Sequence, residues 1–255
     1  MLQVVRTDWD YTKLAESYLR RPDYAKAVID AITSLAALSQ TSRVCDVGAG
    51  VAHLTLPLAQ TGCLIDAVEP NDAMRALGQD RTSKLNRVQW YEGSGEQTGR
   101  ASNQYQLVSF GSSFNVCDQV SALREVRRIL VPRGWFTCIW NHRDLTDPIQ
   151  AQIEAAIVEK IPDYEYGVRR ADQGKFLEDS KMFEAVLRIS SRVNHTVDVD
   201  AFIEGWRSHA TLARQAGKNF ESVVSSIGNI VRSSSRNGLL EVPYETVGWI
   251  ARVKG

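Results

Sequence analysis

Short apolar runs alternate with helical patterns between residues 43 and 140, and this alternation restricts the fold more than any other feature. Strands that are buried on both faces of a parallel sheet have this continuous apolar character. Strand and helix alternating at this spacing predict an α/β protein with a parallel sheet and helices on both faces. The five predicted strands are Arg43–Val47, Cys63–Val68, Arg87–Tyr91, Tyr105–Phe110 and Trp135–Trp140.

Helical patterns flank this region on both sides. Residues 11–38 predict two helices that are separated by a polar corner at Pro22. After His142 the pattern predicts helices over 149–161, 201–213 and 220–232, and strands over 186–199 and 241–253. Because no Gly-, Pro- or Ser-rich linker separates the two halves, we expect one domain over residues 1–255.

Charge and cysteine usage exclude several classes of protein. Thirty Lys and Arg balance thirty Asp and Glu, so the sequence has no basic surplus for binding nucleic acid. The four cysteines lie singly in apolar segments without metal-ligand spacing, which predicts no metal site and a reducing, cytoplasmic location. The uncharged run Val47–Ile65 contains glycines, a proline and polar residues, so we expect a strand, a loop and a helix rather than a membrane span.

A glycine-rich loop follows the first predicted strand and opens a helix. Glycines in Val44–Gly50 let the backbone turn tightly and let a ligand approach the main chain. Glu69 ends the second strand, 19 residues beyond Gly50, where an acidic residue can bind the hydroxyls of a ribose. The alternative is a solvated carboxylate at a strand end.

The local sequence disfavours other nucleotides. A dinucleotide site requires a small residue at the third position of its glycine pattern, and His53 stands there. Asp46, before the glycines, suits a ligand with a cationic or amino group better than a pyrophosphate. The sequence also has no Walker motif and no Tyr-x-x-x-Lys pair.

Three segments together resemble the class I S-adenosylmethionine-dependent methyltransferases. They are Val44–Gly50, Val68–Pro70 with Met74, and Glu125–Trp135. The resemblance extends from about Tyr18 to Trp140. Two departures are Ala52, where many members have a further glycine, and Gln106, where an Asp often begins the fourth strand.

The resemblance implies a Rossmann-like, doubly wound, mostly parallel seven-stranded sheet. It would carry an N-terminal helical cap (1–40), a cofactor-binding core (41–141), and a pocket-forming elaboration with C-terminal strands (142–255). The elaboration would include a helical insertion after the fifth strand.

The resemblance also implies S-adenosyl-L-methionine as methyl donor and S-adenosyl-L-homocysteine as product. Glu69 would bind the ribose hydroxyls, whereas Arg21, beside Pro22, is alternatively a simple corner residue. The implied cofactor contacts are Tyr18, Arg21, Asp46, Gly48, Ala49, Gly50, Glu69, Pro70, Met74, Gly95, Glu96, Phe110, Gly111 and Ser112.

For the acceptor we expect a small organic molecule that is neutral or weakly polar, because the region after Trp140 is aromatic and lacks a basic surplus. His142 is the candidate general base, since histidine titrates near neutral pH; alternatively, residues 141–144 form a polar turn that caps the next helix. The candidate substrate contacts are Phe114, Asn115, Trp140, Tyr164, Tyr166, Trp206 and His209, each of which could instead be a core residue.

Other functions stay open on the sequence alone. Ser112–Asn115 stands where an Asn/Asp-Pro-Pro-Tyr tetrad would indicate methylation of a base amine, so we expect no nucleic-acid partner. We expect no membrane partner either. The alternatives are a non-catalytic S-adenosylmethionine-binding or scaffold protein, or an RNA or protein methyltransferase. Whether the acceptor atom is O, N, C or S is not determined by these patterns.

Overall fold

One seven-stranded sheet runs through the computed structural model, which describes residue 12 and residues 15–165, 170–207 and 209–255. Its strands are β1 (Arg43–Val47), β2 (Leu64–Val68), β3 (Val88–Tyr91), β4 (Tyr105–Gly111), β5 (Leu130–Arg143), β6 (Phe183–Asp198) and β7 (Leu239–Val253). Their spatial order is β3-β2-β1-β4-β5-β7-β6. The first five strands are parallel, and β7 is antiparallel to both β5 and β6. The predicted α/β, mostly parallel, seven-stranded fold is confirmed.

Ten α-helices connect or precede the strands in the described residues. They are α1 (Ala15–Tyr18), α2 (Lys26–Leu35), α3 (Thr55–Ala59), α4 (Asp72–Thr82), α5 (Gln119–Ile129), α6 (Pro148–Lys160), α7 (Gln173–Asp179), α8 (Val199–Arg207), α9 (Ala210–Ala216) and α10 (Phe220–Ser234). Acceptor side chains precede several of them: the Asn71 side chain accepts from the Met74 N–H at the start of α4, and Asp118 accepts from two N–H groups of α5. These contacts satisfy backbone donors that a helix start leaves unpaired.

Apolar side chains cover both faces of the sheet. Phe110, Phe136 and Trp140 belong to a core on the face that α5 and α7 cover. Ile32 of α2 and Leu58 of α3 pack on the other face. Burial on both faces explains why the parallel strands read as continuous apolar runs.

β5 extends three residues beyond the predicted end at Trp140. His142 pairs with Glu245 of β7, so residues 141–143 continue the strand. The helix that follows, α6, is capped instead by Asp147, whose side chain accepts from the N–H groups of Ile149 and Gln150. The interpretation of residues 141–144 as a capping turn is therefore wrong.

The helical insertion expected after the fifth strand is divided in two by β6. Helices α6 and α7 lie between β5 and β6, whereas α8, α9 and α10 lie between β6 and β7. Apolar residues of α6, α8 and α10 form a separate core with the first residues of β7. This core includes Ile157, Ile203, Ile227 and Leu240. This second core gives the sheet a helical extension at one end.

Candidate active site

A cavity of about 730 Å³ opens where the order of the strands reverses. The chain passes from β1 to β2 and β3 on one side, and returns to β4 on the other side of β1. Ligands of open α/β sheets bind at the carboxyl ends of the strands at such a point. The volume lies within the range of about 300–1,000 Å³ that is usual for small-molecule sites.

The cavity has two ends that different parts of the chain form. The glycine-loop end is lined by Asp46, Gly48–Val51, Glu69–Asp72, Met74, Ser94, Gly95, Gly111–Ser113, Val116 and Cys117. The helical end is lined by Asn141–Arg143, Arg170, His195, Val197, Ala201, Phe202, Gly205, Trp206, His209, Thr211 and Tyr244. Residues of the N-terminal segment, including Tyr18, Arg20 and Arg21, lie along the same cavity.

The glycine loop has a backbone that only glycine adopts readily. Gly48 and Gly50 have φ angles of +65° and +54°. The N–H groups of Gly48 and Ala49 donate to the carbonyl oxygen of Val68 at 2.8 and 3.1 Å, which fixes the loop against the end of β2. A Cβ on Gly48 would lie 2.4 Å from the Cβ of Ser113, so a side chain at this position would also clash with Ser113.

Glu69 lies at the end of β2 and faces the glycine loop. Its Oε2 accepts from the Gly50 N–H at 2.9 Å, and its Oε1 accepts from the Asn71 N–H at 2.8 Å. The side chain is buried, and desolvation raises its pKa, although the two N–H donors partly oppose the shift. Glu69 is therefore an oriented carboxylate that lines the cavity, rather than a solvated group at a strand end.

Asp46 lies below the loop and is fully buried. Its two oxygens accept from the hydroxyls of Thr55 and Ser109 at 2.6 and 2.8 Å. Burial raises the pKa of Asp46 to about 6, while the two hydroxyls act in the opposite direction. The site thus holds a carboxylate whose charge changes close to neutral pH.

Ser94 and Gly95 continue the lining beyond β3, next to Pro70 and Met74. A Cβ on Gly95 would lie 2.4 Å from the Sγ of Cys117, so the backbone is closely packed there. Glu96 is not among the lining residues; its Oε1 instead accepts from the Asp118 N–H at 2.7 Å, at the start of α5. The predicted contact at Glu96 is therefore wrong, and Ser94, which was not among the predicted contacts, lines the cavity instead.

The N-terminal segment is held against the cavity by polar contacts. Arg21 lies over the ring of Tyr18 at 3.6 Å from its centroid. The Nε2 of His53 is 2.7 Å from the Tyr18 carbonyl oxygen. The side-chain amide of Asn141, on β5, donates to the carbonyl oxygen of Pro22 at 3.0 Å. Arg21 stands at the corner directly before Pro22, and it also lines the cavity.

Gly111 and Ser112 line the cavity at the end of β4, but the aromatic residues beside them do not. Phe110 and Phe114 are fully buried and pack edge to face at 5.2 Å between ring centroids. They lie in the core instead of facing a ligand, because a ring without a polar atom gains most from complete burial. The predicted contacts at Phe110 and Phe114 are therefore wrong.

Trp140 and Asn115 form a hydrogen bond with each other away from the cavity. Trp140 is buried and its Nε1 donates to the Oδ1 of Asn115 at 2.9 Å, while its ring packs against Trp249. A buried indole N–H requires such a partner. Neither residue lines the cavity, so these two predicted contacts are also wrong.

Three other candidates of the sequence analysis line the helical end: His142, Trp206 and His209. Tyr164 does not line it and packs against the core of α6, α8 and α10. Tyr166 lies outside the described residues. The helical end also includes residues that the sequence did not single out, namely Arg143, Arg170, His195 and Tyr244.

Arg143 organises the wall of the helical end. Its guanidinium donates to the Oε1 of Gln150 at 3.0 Å and to the Oε1 of Glu154 at 2.9 Å, both on α6. The same guanidinium lies 4.4 Å from the centroid of the Trp206 ring on α8. Its carbonyl oxygen accepts from the Nη2 of Arg170 at 3.3 Å. One residue of β5 therefore connects two helices and a second arginine.

The described part of the chain has neither a metal-binding cluster nor a helix suited to crossing a membrane. Residues 15–165, 170–207 and 209–255 contain no group of three His, Cys, Asp or Glu that could hold a metal ion. None of their helices combines the length and the apolar character that a membrane span requires.

Comparison with known proteins covers the glycine-loop half of the chain. A family model described as a methyltransferase domain matches residues 45–138. An uncharacterized methyltransferase of Mycobacterium tuberculosis is 31% identical over 128 residues, which are 49% of this chain and 48% of that protein. Demethylmenaquinone methyltransferase of Staphylococcus carnosus is 24% identical over 144 residues, with 54% and 58% of the two chains covered. The chain spans about half the length of the curated relatives it matches.

Similarity of the whole fold extends further than similarity of sequence. A solved protein of Anaeromyxobacter dehalogenans, assigned as a type II methyltransferase, has a TM-score of 0.64 at 15% identity and covers 92% of this chain and 97% of its own. At this identity the likeness establishes the fold alone. Residues 45–138 are therefore similar to a methyltransferase domain, and the likeness to the solved protein extends the agreement to the fold of the whole chain.

Proposed function

We propose that the protein transfers a methyl group from S-adenosylmethionine to a small organic molecule. The observation that carries the proposal is the Glu69 carboxylate, which two backbone N–H groups orient at the edge of the cavity beside the glycine loop. A carboxylate in this place has further lone pairs with which to accept from the two hydroxyls of a ribose.

The residues of the glycine-loop end fit this donor. Gly48, Gly50 and Gly95 keep the main chain bare where a ligand would approach it, and two of them have no room for a Cβ. Glu69 would hold the ribose, and Ser94, Gly95 and Met74 would border the base. Arg21 would balance the carboxylate of the methionine part, and Asp46 would face its cationic part.

When bound, S-adenosylmethionine supplies a methyl group on a positively charged sulfur; the acceptor's lone pair forms the new bond to the methyl carbon as the carbon–sulfur pair stays on sulfur. The protein's part is to align the acceptor and to exclude water. An acceptor that starts as O–H or N–H must also lose a proton, and His142 lines the helical end where such an acceptor would lie.

The form of the helical end favours a small acceptor over a macromolecule. Its walls come from β5, β6, β7 and α8, and apolar side chains such as Phe202 and Trp206 alternate there with polar ones. This combination is usual for small-molecule pockets. A relative named demethylmenaquinone methyltransferase adds support for a small organic acceptor.

Calorimetry tests the donor assignment directly. We expect S-adenosylmethionine and S-adenosylhomocysteine to bind, and NAD to bind at least about tenfold more weakly, which corresponds to about 1.4 kcal/mol. Tight binding of NAD without heat from S-adenosylhomocysteine would refute the donor.

Turnover then tests the reaction. Release of S-adenosylhomocysteine is measured with a panel of small acids, alcohols, amines and quinols, and with RNA and protein as comparison substrates. Release with a small molecule supports the proposal. Release with RNA or protein alone, or donor binding without release from any acceptor, contradicts it.

A further inference from the structure

The end of β4 lies at the junction between the two ends of the cavity. In the sheet, β4 stands between β1 and β5, and the three strands are parallel. The glycine loop follows β1, whereas Asn141–Arg143 of β5 line the helical end. Ser112 directly follows β4 and lines the cavity. A donor at the glycine-loop end and an acceptor at the helical end would therefore meet beside Ser112.

Ser112 has a backbone conformation that serine rarely adopts. Its φ is +58°, in the left-handed region that favours glycine. Among the described residues, seven that are not glycine have a positive φ, and Ser112 alone of these lines the cavity. Its N–H donates to the Ile139 carbonyl oxygen of β5 at 2.8 Å, which holds this conformation. Strain of this kind concentrates at functional sites, where it directs a side chain towards a ligand.

The hydroxyl of Ser112 is paired with the hydroxyl of Tyr24, on the N-terminal segment. The two oxygens lie 3.1 Å apart, and both residues are half-buried and line the cavity. A Cβ on Gly111 would lie 3.0 Å from the Tyr24 hydroxyl oxygen, so the glycine leaves room for this ring. A hydroxyl has one donor and two acceptor positions. The bond to Tyr24 therefore leaves the Ser112 hydroxyl able to bind a ligand atom as well.

The main chain on both sides of Tyr24 is fixed to the sheet. The side-chain amide of Asn141, on β5, donates to the two carbonyl oxygens that precede Tyr24, each at 3.0 Å. On the other side, the Ala25 N–H donates to the Oγ1 of Thr246, on β7, at 2.7 Å. Thr246 is fully buried, and its hydroxyl donates in turn to the Oδ1 of Asn141. The sheet thus places the Tyr24 ring, and the Tyr24 hydroxyl orients that of Ser112.

We propose that Ser112 holds the acceptor atom, an oxygen or a nitrogen, opposite the donor's methyl group, and that Tyr24 positions the Ser112 hydroxyl. This inference rests on the proposed methyl transfer. It moves Ser112 from the donor contacts that the sequence resemblance implies to the point of transfer. Alignment of the reacting atoms is the main contribution that the protein makes to such a reaction.

The versatility of a hydroxyl defines the class of acceptor atom. The Ser112 hydroxyl would donate to the second lone pair of an acceptor oxygen, or accept from the second N–H of an amine. One lone pair is then left to form the bond to the methyl carbon, and one proton is left to pass to His142. A carbon acceptor offers the hydroxyl neither group.

Sinefungin tests the position of Ser112 before the acceptor is known, because it carries an amino group where the donor has its methyl group. S-adenosylhomocysteine has no group there. Ser112→Ala should weaken sinefungin binding by about tenfold or more, the usual effect of losing a hydrogen bond to a charged group, and leave S-adenosylhomocysteine binding unchanged. Calorimetry measures both Kd values, and their ratio is the readout. Ser112→Gly, which suits the positive φ, should show the same loss and guards against a folding defect.

Tyr24→Phe tests the positioning role. It should change the same ratio by less than Ser112→Ala does, because the Ser112 hydroxyl remains but loses its partner. The double variant should show no loss beyond that of Ser112→Ala, because Tyr24 acts through the Ser112 hydroxyl. Ser83→Ala and Tyr91→Phe are the matched controls: both remove a hydroxyl outside the cavity and should keep the wild-type ratio.

The product of turnover tests the acceptor atom. When release of S-adenosylhomocysteine has identified an acceptor, a donor with an isotopically labelled methyl carbon shows by NMR which atom of the product carries the methyl group. We expect that atom to be oxygen or nitrogen.

Four results would overturn the inference: an unchanged ratio in Ser112→Ala, a further loss in the double variant, an equal change in either control, or a methyl group on carbon or sulfur. In each case the wild-type protein still binds S-adenosylhomocysteine. Absence of that binding in the wild-type protein would instead refute the proposed function itself, so the two failures are distinguishable.

Discussion

The Oε2 atom of Glu69 lies 2.9 Å from the backbone nitrogen of Gly50, and this hydrogen bond joins the loop after β1 to the end of β2. The loop is also fixed by donation from Gly48 and Ala49 to Val68. Two neighbouring strand ends are therefore connected by one side chain and by the main chain. Glu69 has a structural role in addition to the role in ribose binding that we propose.

Glu69→Ala is expected to weaken S-adenosylhomocysteine binding by about 1.5–3 kcal/mol, the usual range for hydrogen bonds to a charged group. Because Glu69 also satisfies the N–H groups of Gly50 and Asn71, the melting temperature should fall as well. Calorimetry and thermal unfolding measure the two effects. Glu159→Ala, at an exposed position on α6 outside the cavity, is the control and should change neither. A folded Glu69→Ala protein with wild-type affinity would contradict ribose binding.

Donor affinity should depend on pH through Asp46. Its pKa of about 6 in the folded protein means that it is protonated below that pH and charged above it. A cationic donor favours the charged form, so S-adenosylmethionine should bind more tightly as pH rises through about 6, and binding near that pH should release protons.

Asp46→Asn is the comparison for this pH dependence. The amide keeps one acceptor for the hydroxyls of Thr55 and Ser109 but cannot ionise. Calorimetry across the acidic-to-neutral range should show a flatter pH profile in this variant. The same slope in both proteins would show that another group is responsible.

Two glycines of the loop should differ in how well they tolerate alanine. Both have positive φ, which costs a residue with a Cβ about 1–2 kcal/mol. A Cβ on Gly50 would contact nothing within 4 Å, whereas one on Gly48 would lie 2.4 Å from the Ser113 Cβ. Gly50→Ala should therefore lower the free energy of unfolding by about that amount, and Gly48→Ala by clearly more. Urea denaturation measures both, and equal losses would contradict the packing argument.

His142→Ala should lower kcat by about 100-fold or more if His142 acts as a general base. S-adenosylhomocysteine affinity should stay unchanged, because His142 lies at the helical end of the cavity. The measurement is turnover of the acceptor identified by product release, with the Kd for S-adenosylhomocysteine in parallel. Retained kcat with a lower melting temperature would assign His142 a structural role only.

The glycine-loop end was predictable from sequence because it is local and consists largely of backbone. Gly48 and Gly50 come just after β1, and Glu69 comes directly after β2. These two parallel strands are neighbours, so their carboxyl ends meet at one edge of the sheet. The error at Glu96 is one of orientation: its neighbours Ser94 and Gly95 line the cavity, while its own side chain turns to the start of α5.

The helical end was less predictable because it joins residues that lie far apart in the sequence. Arg143, His195 and Tyr244 come from three different strands, and no local motif signals their convergence. Aromatic residues near the strand ends were also poor indicators of which side chains line the cavity. Phe114 and Trp140 gain more from burial in the core than from exposure to a cavity, and sequence alone does not separate these outcomes.

The segment between β6 and β7 leaves the sheet and returns to it at neighbouring points. Asp198 and Leu239 are paired in the sheet, and the Val199 N–H donates to the Gly238 carbonyl oxygen at 3.0 Å. A segment whose ends already meet can change in length at a cost that grows only logarithmically. Helices α8 to α10 could accordingly be exchanged as a cassette between related proteins, altering the choice of acceptor while leaving the glycine loop unchanged.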